Sequence, residues 1–174
     1  ALEINNVIDG KNIGTYINED QLTMMTNNKE NGIEEYQFNS DESKVMIYTN
    51  SEGIYRHSSK GSTYVFDKKS NSGVEIFGGK QISNPTFSPD GNKVGFTFEN
   101  NLYYSDITTN KTIQITNDGK WNNIINGMCD WVYEEEFSFT RAFQWSEDSK
   151  KIAFLRFDES RVKEFTLEYY KDEM

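Results

Sequence analysis

The chain has 174 residues, a formal net charge of −10 at pH 7 and 35% hydrophobic residues, with a mean hydropathy of −0.78. This length suits one domain with a sizeable core, and the negative charge repels phosphate backbones, so nucleic acid is not an expected partner. Because Cys129 is the only cysteine and His57 the only histidine, a disulfide within the chain and a Cys/His zinc site are both excluded.

A β-hairpin motif occurs three times along the chain. Each copy ends one strand on an aromatic residue, turns through Ser, Asp or Gly, and begins a second strand with lysine and apolar residues. Asp and Gly accept the tight backbone of such turns, so the motif predicts a hairpin. The three copies span 38–47, 87–96 and 145–154.

Further strands are predicted after the first two hairpins. Segments 63–67 and 102–106 are rich in aromatic residues, and segments 74–77 and 113–116 alternate apolar and polar residues. Each of these two units therefore holds about four short strands, as a propeller blade does. The interval between the second and third hairpins is longer. We interpret 121–137 as an insertion, and insertions in repeat folds collect on the functional face.

The third unit is incomplete. It offers strands at 152–157 and 165–170, after which the chain ends. An all-β sandwich would also contain many short strands, but it would not repeat one hairpin at blade-like spacing. The sequence therefore favours an all-β, partial β-propeller of about two and a half blades. So few blades cannot close a ring, and we expect 1–174 to be one piece of a larger polypeptide.

The sequence contains no recognisable catalytic motif. A Gly-x-Ser-x-Gly nucleophile elbow, a Walker loop, a dinucleotide fingerprint and a calcium loop are all absent, and a hydrolase triad would have to recruit His57 without a supporting motif. We therefore predict no catalytic residue, no metal site and no cofactor in this chain. Its expected contribution to function is recognition.

An acidic segment at 130–137 is the least ordinary feature of the chain. Its carboxylates are Asp130, Glu134, Glu135 and Glu136, and its other members are Trp131, Val132, Tyr133 and Phe137. The aromatic residues predict that the segment packs down and holds the carboxylates in fixed positions. We predict a short helical insertion here, which would place Tyr133 and Phe137 one turn apart on one face.

Adjacent carboxylates at 134–136 repel one another, so a favourable interaction must offset that repulsion. Backbone amides at a helix start could contribute, and so could a bound cation. An ammonium group presents three N–H donors that two carboxylates can accept together, whereas calcium prefers a looped array of oxygens. A solvated charge cluster without a ligand is the alternative that the residues alone leave open.

The run at 127–137 resembles the double-glutamate motif of the dipeptidyl-peptidase IV family. Residues 145–146 and 152–160 resemble the next blade of that family, and residues 55–58 resemble its arginine-bearing segment. The resemblance covers most of the chain from about residue 34 onward. The Asp-Trp-Val-Tyr-Glu-Glu-Glu string is highly specific, whereas hairpins of the Ser-Pro-Asp-Gly type occur in many propellers.

The resemblance implies an eight-bladed propeller, of which 1–174 is an N-terminal portion, joined to an α/β-hydrolase domain outside this chain. The family releases X-Pro or X-Ala dipeptides from free amino termini, usually as a homodimer. By motif, Glu135 and Glu136 would bind the substrate's ammonium, Glu134 would be a structural neighbour, and Arg56 would orient a backbone carbonyl. A periplasmic or extracellular location is implied as well. A prolyl tripeptidyl peptidase of the same family and a non-catalytic, protein-binding propeller remain alternatives.

Overall fold

Two four-stranded antiparallel sheets follow one another along the chain, and shorter strand pairs precede and follow them. The computed structural model describes residues 1–27, 32–166 and 168. Its strands are β1 (Leu2–Asn5), β2 (Asn12–Ile17), β3 (Glu35–Phe38), β4 (Lys44–Gly53), β5 (Ser59–Asp67), β6 (Ser72–Glu75), β7 (Ser83–Phe87), β8 (Lys93–Phe98), β9 (Asn101–Asp106), β10 (Lys111–Gln114), β11 (Ile124–Asn126), β12 (Phe143–Trp145), β13 (Ile152–Phe154) and β14 (Arg156–Asp158). The helices are α1 (Glu19–Thr26), α2 (Trp131–Phe137) and a 3-10 turn over Ile76–Gly79.

The three predicted hairpins all form, and their turns share one hydrogen bond. A side-chain oxygen of Asp41, Asp90 or Asp148 accepts the backbone N–H two residues later, at 3.0, 3.0 and 3.1 Å respectively. This is the Asx turn in which aspartate substitutes for a backbone acceptor. The hairpins join β3 to β4, β7 to β8 and β12 to β13, so the repeat seen in the sequence is a repeat in the structure.

The first two repeats each continue into a full four-stranded sheet. The sheets have the orders β3-β4-β5-β6 and β7-β8-β9-β10, antiparallel throughout. Their facing sides bury one apolar cluster, in which Phe96 stacks on Tyr103 with ring centroids 5.7 Å apart. A second cluster lies between the first sheet, the β1–β2 hairpin and α1. The all-β prediction and the two four-stranded units are confirmed.

Some predicted strand boundaries were wrong. The alternating segment 74–77 is a strand only to Glu75, because the backbone turns into the 3-10 helix with Phe77 and Gly78 at positive φ. The segment predicted at 152–157 is two strands, since Leu155 donates to Ala142 and the chain then leaves β12 to pair with β11. Of the segment predicted at 165–170, residues 165, 166 and 168 are in no strand, and the others lie outside the described residues.

The third unit therefore consists of the β12–β13 hairpin, which packs on the second sheet. Trp145 packs edge-on to Tyr104, with ring centroids 6.1 Å apart, and its Nε1 donates to the Thr86 carbonyl at 3.4 Å. In the described part of the chain, no helix is long and apolar enough to cross a membrane. The insertion that carries α2 lies between the second sheet and this third unit.

Candidate functional site

Helix α2 begins and ends with side-chain and backbone caps. The carboxylate of Asp130 accepts from the backbone N–H of Tyr133 at 2.8 Å, which satisfies one of the donors left free at a helix start. Ser138 adopts the left-handed conformation at the C-terminus, and its N–H donates to the Glu134 carbonyl at 3.2 Å. The predicted short helix over the acidic segment is therefore confirmed.

The segment that carries α2 is closed at its base by backbone hydrogen bonds. The Cys129 N–H donates to the Thr140 carbonyl at 3.0 Å, and Met128 bridges Arg141 in antiparallel fashion. These contacts join the two ends of the segment that carries α2 to each other. Cys129 itself is buried, as expected of a small apolar residue, and burial beside two carboxylates raises the pKa of its thiol to about 12.

Glu134 is the residue of α2 that faces the body of the protein. Its side chain is 1% exposed, and its Oε1 accepts from the backbone N–H groups of His57 at 2.6 Å and Ser58 at 2.9 Å. Burial alone would raise the pKa of this carboxyl. The hydroxyl of Ser58 and the two amides outweigh burial and lower the pKa, although that hydroxyl makes no hydrogen bond of regular geometry.

Arg56 and Glu135 are brought together across the same junction. The Arg56 Nη1 lies 3.3 Å from Oε2 of Glu135, with 71% of the arginine side chain and 18% of the glutamate side chain exposed. Glu136 follows on the exposed surface of α2 and has no ion pair among the described residues. The structure thus brings Arg56 and Glu135 together where the loop between β4 and β5 meets α2, and Glu136 is the next residue of that helix.

The aromatic residues of α2 do not pack down as the sequence predicted. Trp131 and Phe137 are 55% and 62% exposed, and Val132 is half exposed. The short helix can present only one side to the protein, and the side that it buries carries Glu134. Tyr133 is the best packed of these aromatic residues, because its ring lies 4.8 Å from that of Phe157 on β14.

Two comparisons with known proteins bear on these residues. A family model described as the N-terminal region of dipeptidyl peptidase IV matches residues 39–174, a span that includes Arg56 and all three glutamates of α2. The chain belongs to the dipeptidyl peptidase IV N-terminal region family. It is 39% identical over 150 residues to dipeptidyl aminopeptidase B of Saccharomyces cerevisiae, covering 85% of this chain and 18% of that protein.

Two further proteins are similar to this chain over most of its length. A probable dipeptidyl-aminopeptidase B of Chaetomium globosum is 39% identical over 134 residues, which cover 75% of this chain and 14% of that protein. The crystal structure of Porphyromonas gingivalis dipeptidyl peptidase 4 superimposes with a TM-score of 0.85 and 33% identity, over 98% of this chain and 24% of that chain. The chain thus spans at most about a quarter of each of these proteins. The structural likeness confirms the partial β-propeller.

Two residues near the acidic helix were not predicted from the sequence as part of the site. Burial and the negative charges of Glu159, Glu134 and Asp130 raise the pKa of the Tyr55 phenol. Burial and Asp130 likewise raise the pKa of Glu159. Tyr55 could have been found because it directly precedes Arg56. Glu159 lies outside the acidic segment in the sequence, and only the fold brings its carboxyl close enough to Asp130 for the two charges to interact.

The described residues contain no group of three or more His, Cys, Asp or Glu side chains arranged to hold a metal ion. What the arrangement offers instead is a pair of neighbouring carboxylates, Glu135 and Glu136, beside one arginine. Carboxylates accept hydrogen bonds from a cation, and a guanidinium donates them to an acceptor oxygen. The arrangement can therefore accept hydrogen bonds from a cation and donate them to a carbonyl or carboxylate oxygen.

Proposed function

We propose that this chain is the substrate-anchoring part of a serine exopeptidase that releases X-Pro or X-Ala dipeptides from free amino termini. In this proposal Glu135 and Glu136 bind the substrate's ammonium group, and Arg56 orients a backbone carbonyl of its first two residues. Membership of the family supports the proposal, as do the dipeptidyl peptidase names of its relatives. The observation that carries it is the Arg56–Glu135 pair, with the next residue, Glu136, in no ion pair among the described residues.

The charges of the site suit an amino terminus. Glu135 uses one carboxylate oxygen for Arg56, and its second oxygen and both oxygens of Glu136 have no hydrogen-bond partner within the described residues. An ammonium group has three donors to share between two such carboxylates. Hydrogen bonds to charged groups are worth about 1.5–3 kcal/mol each, so two of them give a strong preference for a protonated amine over an acylated one.

Anchoring the amino terminus would also determine which peptide bond is cut. If Glu135 and Glu136 hold the ammonium, the peptide can enter only a fixed distance beyond them. A nucleophile on a hydrolase domain would then meet the bond that follows the second residue. In this proposal residues 1–174 form the N-terminal part of the propeller, and the rest of the propeller, the hydrolase domain and a second copy of the enzyme are its partners.

The test replaces the two glutamates in the full-length enzyme. Glu135→Gln and Glu136→Gln keep the size of each side chain and remove its charge. We expect kcat/KM for an Xaa-Pro p-nitroanilide to fall about 10- to 100-fold for each variant, and further for the double variant. Glu147→Gln, in the exposed turn of the third hairpin, is the matched control and should retain full activity.

The same experiment separates the possible products. Mass spectrometry of the fragments released from an unlabelled peptide distinguishes dipeptides from tripeptides. Release of tripeptides would contradict the proposed spacing between anchor and nucleophile. Unchanged kcat/KM in the Glu135→Gln, Glu136→Gln double variant would overturn ammonium recognition by α2.

A further inference from the structure

The loop that carries Arg56 has few contacts of its own. It spans residues 54–58 between β4 and β5 and is closed by one backbone hydrogen bond, from Ile54 to the Ser58 carbonyl at 2.8 Å. The Arg56 side chain is largely exposed and is paired only with Glu135 within the described residues. Because solvent screens the exposed guanidinium, the pair contributes little energy, so it cannot by itself hold the loop against α2.

Glu134 supplies the contact that the loop otherwise lacks. One oxygen of its buried carboxylate accepts from two successive backbone N–H groups, those of His57 and Ser58. Hydrogen bonds from amides to a carboxylate are short and about twice as strong as neutral ones. Backbone amides have no rotamers, so these two bonds fix the main chain of the loop rather than a flexible side chain.

The contact between Glu134 and the loop also affects the residues next to it in the sequence. His57 directly follows Arg56, so fixing the His57 amide fixes the main chain from which the arginine extends. Glu135 directly follows Glu134, so the same contact sets the distance from that main chain to the Arg56 partner on α2. The 3.3 Å separation between the guanidinium and the Glu135 carboxylate is then a result of where Glu134 holds the loop.

We infer that Glu134 is a positioning residue for peptide binding, which acts through Arg56 by fastening the loop 54–58 to α2. The inference rests on the proposed function and deepens it, because it assigns a role to the one glutamate of α2 that cannot reach a ligand. Glu134 is buried, and it accepts its hydrogen bonds from two backbone amides of the chain itself.

A double-mutant cycle in the full-length enzyme tests this role. Glu134→Ala removes the acceptor of both amides, and we expect it to raise KM for an Xaa-Pro p-nitroanilide about tenfold while kcat changes less. In an Arg56→Ala background the same change should raise KM by less than about twofold, because the group that Glu134 positions is gone. Glu134→Gln keeps an acceptor oxygen without the charge, so its KM should rise about threefold.

A general structural role would give a different result. Glu134→Ala would then lower activity by the same factor with and without Arg56, and that additivity would overturn the inference. An unchanged KM in Glu134→Ala would overturn it too. If Glu134→Ala does not fold, judged by circular dichroism, Glu134→Gln takes its place in the cycle, and an unchanged KM for that variant counts against the inference.

The experiments distinguish a failure of the proposed function from a failure of the positioning role of Glu134. If Glu135→Gln and Glu136→Gln leave kcat/KM unchanged while the Glu134–Arg56 coupling is present, ammonium recognition is wrong and the positioning role stands. If the glutamate variants lose activity while the Glu134 and Arg56 effects are additive, only the positioning role is wrong. Glu147→Gln serves as the carboxylate control in both experiments.

Discussion

The Arg56 guanidinium lies 3.3 Å from the Glu135 carboxylate, across the junction between the β4–β5 loop and helix α2. The two residues are 79 positions apart in the sequence and come from the first sheet and from the insertion before the third unit. Because the arginine is mostly exposed, the pair adds little to stability. In the proposed function, the pair places one positive group beside two carboxylates, so that an amino terminus and the carbonyl next to it would be bound together.

Replacement of Arg56 should therefore affect substrate binding rather than folding. We expect Arg56→Met to raise KM for an Xaa-Pro p-nitroanilide about tenfold, because a hydrogen bond from a charged donor to the substrate carbonyl is lost. The free energy of unfolding should change by less than about 1 kcal/mol, the usual contribution of an exposed ion pair. Steady-state kinetics and urea unfolding of the same preparation measure the two effects.

Lys60→Met is the control for Arg56→Met. Lys60 pairs with Glu52 at 3.1 Å on the same hairpin, and its side chain is 41% exposed. It should change neither KM nor stability appreciably. A variant of Arg56 that unfolds much more easily, with KM unchanged, would show that the pair serves the fold instead of the ligand.

The contact between Glu134 and the loop should depend on pH. The pKa of the Glu134 carboxyl is lowered from its ordinary value of 4.5 in the folded protein, so the folded state favours the ionised form. The stabilisation is fully present above the pKa of the unfolded chain, and it is lost as pH falls through the lower pKa of the folded state. Glu134→Gln cannot titrate, so its disadvantage relative to the wild type should be constant above about pH 5 and shrink towards pH 3.

Thermal unfolding of both proteins between pH 3 and pH 7 measures this dependence. The Glu147→Gln variant provides the baseline, since it removes an exposed carboxylate elsewhere. A difference between wild type and Glu134→Gln that stays constant down to pH 3 would mean that the carboxyl is not preferentially ionised in the folded protein.

The repeat and the short helix could be predicted from the sequence because their causes are local. The Asx turns at Asp41, Asp90 and Asp148 depend on residues two positions apart. The N-terminal cap of α2 depends on Asp130 and on Tyr133, three positions later. These interactions form wherever the local sequence occurs. For the same reason all three predicted hairpin turns are present in the structure.

The orientation of α2 could not be predicted, because it depends on contacts far apart in the sequence. Phe137 is exposed and Glu134 is buried, the reverse of what their side chains favour in isolation. The amides of His57 and Ser58, which satisfy the buried carboxylate, come from the loop between β4 and β5. No pattern within the acidic segment reveals them. The pairing of β14 with β11 could not be predicted either, since β11 lies in the insertion, far from β14 in the sequence.

Gly95 on β8 should control how closely the third hairpin packs on the second sheet. A Cβ atom at this position would lie 3.0 Å from the Phe143 ring and 3.1 Å from Nε1 of Trp145. These rings belong to β12, which has little room to move because Trp145 also donates to the Thr86 carbonyl. We expect Gly95→Ala to lower the unfolding temperature slightly. Gly95→Val should cost about 1–3 kcal/mol, as overpacking of a core does, and should change Trp145 fluorescence by separating its ring from the sheet.

Gly32→Ala is the matched control, because a Cβ there would meet no atom of the described residues within 4 Å and the glycine has no positive φ. Its unfolding temperature should equal or slightly exceed that of the wild type, since alanine reduces the entropy of the unfolded chain. If Gly95→Val unfolds at the same temperature as Gly32→Ala, with Trp145 fluorescence unchanged, the third hairpin does not pack against β8 as closely as the distances to Phe143 and Trp145 require. The blade-to-blade contact would then have to depend on the Thr86 hydrogen bond and the Tyr104 ring instead.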